Sequence, residues 1–238
     1  MNIKKHIPNL FTLSNLFCGT FAIIFAVNSK FELTAIFVAF GIFFDFFDGF
    51  LARILKVSGE LGKQLDSLAD MVTSGVVPGI VMFYLLANKQ IGIIDFKDNF
   101  FNSSYIPLFG FLITLGACYR LAKFNLDTRQ TESFIGLPTP AAAIYIASLP
   151  IIGANYGTNF SFELLIISTI ILSLLLVAEL PLFSLKISKR ENMKSQLNII
   201  RILFLISSVI LLFVLQFASI PFIVILYIFL SIINNLIK

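Results

Sequence analysis

The sequence predicts an all-α integral membrane protein, a polytopic helical bundle of about eight transmembrane helices forming a single domain over residues 1–238. Three observations predict it. The first is composition: 58% of the residues are hydrophobic and 13% charged, and the mean hydropathy of +0.96 lies far outside the range of soluble domains. The second is the recurrence, from end to end, of apolar runs of about 17 to 25 residues, the length a helix needs to cross a hydrocarbon core. The third is an unequal distribution of basic residues between the two sides such a bundle would have.

The expected spans are Leu10–Val27, Leu33–Leu55, Leu68–Ala87, Ile106–Phe124, Pro138–Ala154, Leu164–Phe183, Ile199–Phe217 and Ile220–Ile237. The first follows a short basic head, as a signal peptide would, but no small-residue cleavage site follows it, so a retained helix is expected. Polar stretches separate the spans: NSK, KVSGELGK, NKQIGIIDFKDNFFNSS, NLDTRQTESFIGLPTP, NYGTNFS, SLKISKRENMKSQ and a tight turn near Ser219 and Pro221. None of them has room for a soluble domain. Cys18 and Cys118 fall in apolar segments, where a cysteine behaves as a small hydrophobe, and imply no disulfide framework. His6 reads as a surface residue.

Eight spans put both termini and every second loop on one side. That side holds 14 of the 17 Lys and Arg residues, leaving Lys30, Lys89 and Lys97 opposite. The basic side is cytoplasmic by the positive-inside rule, so both termini and residues 45–70 are expected there. The formal charge of +4 then records topology and contact with anionic membrane lipid, and no nucleic-acid partner is expected.

The stretch DFFDGFLARILKVSGELGKQLDSLAD, residues 45–70, concentrates the chemistry. On a helix, Asp45 and Asp48 stand three apart on one face, and Asp66 and Asp70, four apart, share a face of the next helix. Two carboxylate pairs then meet across one short loop. Charges near the end of a membrane span are expensive unless paired, hydrated or metal-bound. Arg53 alone cannot neutralise four of them, which points to one or two divalent cations on oxygen ligands. Gly49, placed in a helix at a cost of about 1 kcal/mol relative to alanine, leaves the backbone beside the carboxylates open to a group such as a diphosphate. Arg53, one turn on, could hold a phosphate oxygen, and Gly59 and Gly62 permit a turn or a close approach. The alternative is that the glycines pack helices together and Arg53 only marks topology.

The pattern Asp45-x2-Asp48-Gly49-x2-Ala52-Arg53-x8-Gly62-x3-Asp66-x3-Asp70 resembles, at every fixed position, the signature of the CDP-alcohol phosphatidyltransferase family. With each residue type at about one in twenty, its eight fixed positions match a given site by chance with odds on the order of 10⁻¹⁰. IPNLFTLSNLFCG before the motif, and RLAKFN and GLPTPAAA after it, look like the phosphatidylserine synthase branch of that family. The resemblance implies transfer of a phosphatidyl group from CDP-diacylglycerol to an alcohol, here L-serine, with release of CMP. It implies two ions, Mg²⁺ or Mn²⁺, held by Asp45, Asp48, Asp66 and Asp70, with Asp70 also the catalytic general base. It further implies CDP-diacylglycerol contacts from Asn9, Thr12, Gly49, Arg53, Ser58, Gly59 and Gly62, a homodimer, and a bacterial or archaeal cell membrane as the location.

For the acceptor, RLAKFN closes the fourth span and GLPTP opens the fifth, so both are expected to border one cavity. Arg120 and Lys123 could bind the serine carboxylate and Asn125 orient it. The alternative is that the two cations only anchor a helix end. Glu179 is read as a charge at the hydrated end of the sixth span. Two rival functions compete with this one. The first is the same chemistry with glycerol 3-phosphate, an inositol phosphate or choline. The second is divalent-cation transport, which would put carboxylates near the bilayer midplane rather than beside a basic loop.

The topology has a direct test. Single cysteines at Asn99 and Ser188, in a Cys18→Ala, Cys118→Ala background, should label from opposite sides of the membrane. Labelling from the same side would break the eight-span count.

Overall fold

The computed structural model describes residues 6–57, 59–88, 105–127, 133–184 and 196–237. Ser58 lies outside the described residues, as do the loops containing Asn99 and Ser188. Among the described residues the chain is helical almost throughout, in line with the all-α polytopic expectation. Helix α1 (His6–Val27) turns at Ser29, whose φ of 57° reverses the chain, into α2 (Phe31–Leu55). The two pack antiparallel along a seam of phenylalanines, with Phe21 stacked on Phe37 at 5.6 Å between ring centroids and Phe11 edge-on to Phe44 at 6.1 Å.

A continuous helical run covers Glu60–Ala87, eight residues earlier in its start than the apolar pattern predicts, because its first turns are amphipathic. It is not uniform. Helix α3 (Glu60–Asp70) passes into a π-helical turn, Met71–Val76, and then into α4 (Val77–Ala87). Pro78 accounts for the turn: it offers no N–H to the carbonyl one turn back, and its ring crowds that carbonyl, so the helix widens upstream. The Thr114 hydroxyl donates to the Gly75 carbonyl at 3.0 Å and satisfies part of the loosened ladder.

A 3₁₀ turn, Ile106–Phe111, leads into α5 (Leu112–Leu126). After strand β1 (Ser133–Ile135) come α6 (Thr139–Tyr156) and α7 (Phe162–Val177). The sixth expected span ends at Val177, not Phe183, because the chain leaves the helix at Ala178 (ψ 143°) ahead of Pro181. Residues Pro181–Phe183 form β2 instead, antiparallel to β1 with Phe134 opposite Leu182. Gly136 is required at this crossing. Its φ is 76° and a Cβ there would lie 2.8 Å from the Leu176 carbonyl oxygen, while its N–H donates to the Leu180 carbonyl at 2.9 Å.

The last helical run, Gln196–Leu236, doubles back. Helix α8 (Gln196–Leu215) ends at a 3₁₀ turn where Gln216 has φ 48°, and α9 (Ser219–Leu236) returns alongside it, with Phe204 and Tyr227 5.7 Å apart. By length and composition five runs can cross a membrane, His6–Val27, Phe31–Leu55, Glu60–Ala87, Ile106–Leu126 and Gln196–Leu236, and α7 is a shorter apolar helix. Each of the eight expected segments overlies a helix. The buried centre, around Met82, Leu86, Ile113, Ile146, Leu149 and Leu165, lies among α4, α5, α6 and α7. Large apolar side chains such as Phe213, Val214 and Phe46 face outward, as a lipid-facing surface requires.

Gly136→Ala should therefore lower the unfolding temperature of the detergent-solubilised protein more than Gly157→Ala. Both glycines have positive φ, but only at Gly136 does a Cβ meet neighbouring atoms. The expected costs are about 2–3 and about 1 kcal/mol. Equal shifts would mean that the close approach to α7 contributes nothing.

Candidate active site

Three helices build the site. Helix α2 supplies Asp45 and Asp48, and α3 supplies Asp66 and Asp70, one turn apart. One carboxylate oxygen from each of Asp45, Asp48 and Asp66 lies within 4.8 Å of the others. At an effective dielectric of about 20, each such pair of charges repels by on the order of 3 kcal/mol. None of the three makes an ion pair with a Lys or Arg among the described residues. One oxygen of Asp66, Oδ1, is moreover buried without a hydrogen-bond partner. Three hard oxygen donors, repelling and incompletely satisfied, fit a divalent cation such as Mg²⁺ or Mn²⁺.

The third helix, α1, reaches two of the four aspartates. Thr12, buried, donates its hydroxyl to Asp48 Oδ2 at 2.5 Å. Asn15, fully buried, donates Nδ2 to Asp70 Oδ1 at 3.0 Å. Asp70 thus sits a turn beyond Asp66, outside the group of three and against α1. Thr12, expected to face a nucleotide, is engaged with a carboxylate as well. Asn15 was not anticipated from the sequence; the available signal was a neutral amide inside an otherwise apolar span.

A cavity of about 450 Å³ opens beside these carboxylates. Its lining includes Asn9, Thr12, Gly49, Arg53, Gly59 and Gly62, six of the seven residues expected to contact CDP-diacylglycerol, together with Asp48 and Asp66. A Cβ at Gly49 or Gly59 would meet nothing within 4 Å, so neither glycine packs helices together. Gly62 has only Asn9 Oδ1 nearby, at 3.5 Å. The glycines that do pack helices are elsewhere: a Cβ at Gly41 would lie 2.6 Å from Thr73, and one at Gly110 2.5 Å from the Phe83 nitrogen. Lys63 and Glu60 also line the cavity and were missed, although a lysine next to Gly62 is a readable signal for a phosphate.

The acceptor candidates divide. Arg120 is buried at 7% exposure, its guanidinium 6.0 Å from the Phe124 ring, its Nε without a partner and its charge felt at Asp70. Lys123 instead donates to Glu179 Oε1 at 2.7 Å. Glu179 lies just past the end of α7, its side chain 64% exposed and paired there with Lys123. Asn125 ties α5 to α3: its carbonyl accepts from Lys63 Nζ at 2.5 Å and its Oδ1 from Ser67 at 3.1 Å. GLPTP does not border the carboxylate cavity. Pro138 and Pro140 line a separate apolar cavity of about 490 Å³ with Phe204 and Tyr227.

The family model described as CDP-alcohol phosphatidyltransferase matches residues 5–180. A Bacillus subtilis (strain 168) protein, CDP-diacylglycerol–serine O-phosphatidyltransferase, is 31% identical over 197 residues, covering 80% of this chain and 97% of the relative. A Helicobacter pylori (strain J99) protein of the same name is 30% identical over 63% of this chain and 59% of its own length. The archaetidylserine synthase of Methanothermobacter thermautotrophicus is 30% identical over 73% of this chain and 72% of its own.

Metal binding can be measured without any substrate. Purified protein should take up Mn²⁺ from solution, read as loss of the free-ion electron paramagnetic resonance signal. Asp66→Ala and Asp45→Ala should weaken that uptake by about 10-fold or more, and Arg53→Ala should not. Wild-type affinity in Asp66→Ala would remove the metal from this site.

Proposed function

The chain belongs to the CDP-alcohol phosphatidyltransferase family, and we propose that it transfers the phosphatidyl group of CDP-diacylglycerol to L-serine, giving phosphatidylserine and CMP. The observation that carries this reading is the single cavity in which Asp48 and Asp66 meet Gly49, Arg53, Gly59, Gly62 and Asn9. Serine is favoured over glycerol 3-phosphate, inositol phosphate or choline by the serine transfer for which the relatives are named and by Arg120, a buried arginine with an unpartnered Nε, enough for one carboxylate.

Divalent ions, Mg²⁺ or Mn²⁺, held by Asp45, Asp48 and Asp66, would neutralise diphosphate charge as Lewis acids. The rest is done by the chain. The bare backbone at Gly49 and the open turn at Gly59 give the diphosphate room, and Arg53 and Lys63 supply cations for its oxygens. Arg120, whose buried Nε has no hydrogen-bond partner, binds the serine carboxylate. Asp70 accepts the serine hydroxyl proton as that oxygen attacks the phosphorus of the phosphatidyl group, and the bond to the CMP oxygen breaks. The position of Asp70 outside the group of three favours the base role for it over that of a metal ligand. Asn125 holds the cavity residue Lys63 from α5, and Lys123 is paired with Glu179.

The substrate's reacting bond lies at headgroup level, and the carboxylates stand in the C-terminal half of α2 and in the first turns of the run from Glu60. With the basic residues weighted to that side, the active site and both termini face the cytoplasm of a bacterial or archaeal cell, in an eight-crossing single domain that works as a homodimer.

Purified protein in detergent should release CMP from CDP-diacylglycerol only when serine is present, in a panel that includes glycerol 3-phosphate and inositol phosphate, and chelation should stop it. Arg120→Ala should raise the serine KM by about 10-fold or more, the loss of a charge-assisted hydrogen bond of roughly 1.5–3 kcal/mol. Lys123→Ala should leave that KM within about twofold. Serine kinetics unchanged in Arg120→Ala would dissolve the acceptor pocket, and turnover with glycerol 3-phosphate alone would overturn the choice of acceptor.

A further inference from the structure

An asparagine with no solvent exposure in a membrane helix needs a reason, since an unbonded buried amide is costly and a leucine would fill the same space. The reason is on the neighbouring helix. Asn15 Nδ2 donates to Asp70 Oδ1 at 3.0 Å, and the backbone that carries it is pinned by Thr73, whose hydroxyl donates to the Asn15 carbonyl at 3.1 Å. Thr73 belongs to the π-helical turn that begins directly after Asp70. Helix α2 leaves space for the amide: a Cβ at Gly41 would lie 2.9 Å from Asn15 Oδ1. That oxygen has no partner, so the amide's one bond is the bond to Asp70.

The same face of α1 carries Thr12, three residues earlier, which donates to Asp48. Helix α1 therefore gives one donor to one member of each aspartate pair, and none to Asp45 or Asp66. Equivalent side chains are made inequivalent by this contact.

We propose that Asn15 is a positioning residue for phosphatidyl transfer: it holds the Asp70 carboxylate by Oδ1, apart from the Asp45, Asp48 and Asp66 group, so that Oδ2 is the oxygen left to take the acceptor's proton. The inference rests on the transferase reading above. A carboxylate free to rotate about its side-chain bonds would spend much of its time out of line with the acceptor, and a misplacement of about 1 Å can cost on the order of 100-fold in rate.

The test uses full-length protein in mixed micelles of detergent and CDP-diacylglycerol, with Asn15→Leu, Asn15→Ala and Asn15→Ser. In Asn15→Leu, kcat should fall about 10- to 100-fold, while the KM values for serine and CDP-diacylglycerol and the affinity for Mn²⁺, followed by electron paramagnetic resonance, stay within about twofold. Asn15→Ser keeps a donor and should turn over several-fold faster than Asn15→Ala, which is nearly the same size. Wild-type kcat in Asn15→Leu overturns the inference. So does a fall in kcat matched by an equal loss of Mn²⁺ affinity, since Asn15 would then support the whole carboxylate group, and so does equal turnover of the Ser and Ala variants. If the wild type ignores serine but uses another alcohol, the acceptor reading fails by itself, and the same variants are compared with that alcohol. A wild type that releases no CMP with any alcohol removes both.

Discussion

Three carboxylate oxygens held within 4.8 Å of one another in a lipid-embedded bundle set the terms for everything around them. Such a group destabilises the fold by several kcal/mol of mutual repulsion unless counter-charge or donors are supplied. The chain supplies little of either. Two side-chain donors come from α1, one to Asp48 and one to Asp70, and Asp66 keeps a buried oxygen with no partner. The remaining deficit is one that a divalent cation could make up. An arrangement that satisfied its own charges would fold more easily and bind less.

The helix packing around the site follows from the need to bring donors and carboxylates this close. Helices α1 and α2 and the π-helical turn meet at Gly19, Gly41 and Thr73, where even a methyl group on either glycine would collide with the threonine. That contact fixes α1 in the register that puts Thr12 opposite Asp48 and Asn15 opposite Asp70. The glycines of the aspartate motif serve the opposite purpose. Gly49 and Gly59 face empty space and keep the wall of the cavity free of side chains. One residue type thus closes one end of the hairpin and opens the other, and the difference lies in whether a second backbone stands across from it.

Much of this was legible from residue order alone. The helices were readable because apolar runs of membrane-spanning length leave few alternatives, and the meeting of α2 with α3 because Asp45, Asp48 and Asp66 lie within one hairpin of sequence. The second boundary of α7 was not: Leu180, Leu182 and Phe183 extend the apolar run, and only the pairing of β2 with β1, residues 133–135, turns them into a strand. Nor was Lys123, whose partner Glu179 is 56 residues away, or the link from Asn125 to α3. Contacts made across the bundle leave no periodic trace in either partner. Asn15 falls between these cases, since its polarity marked it as unusual while its partner, 55 residues on, could be found only in three dimensions.

The family match ends at residue 180, and the C-terminal hairpin beyond it is joined to the rest by an unusual set of bonds. Three side chains donate to carbonyls of one short segment: Asn235 to Pro181 at 2.6 Å, Tyr227 to Phe183 at 2.9 Å and Arg201 to Ser184 at 2.6 Å. An extended segment in a membrane domain exposes carbonyls that lipid cannot satisfy, so β2 demands such donors wherever it is buried. The strand that breaks α7 early therefore has a consequence for the packing. By requiring an arginine from α8 and a tyrosine and an asparagine from α9, it ties the C-terminal hairpin to the segment that follows α7, a join that the aspartate motif does not encode.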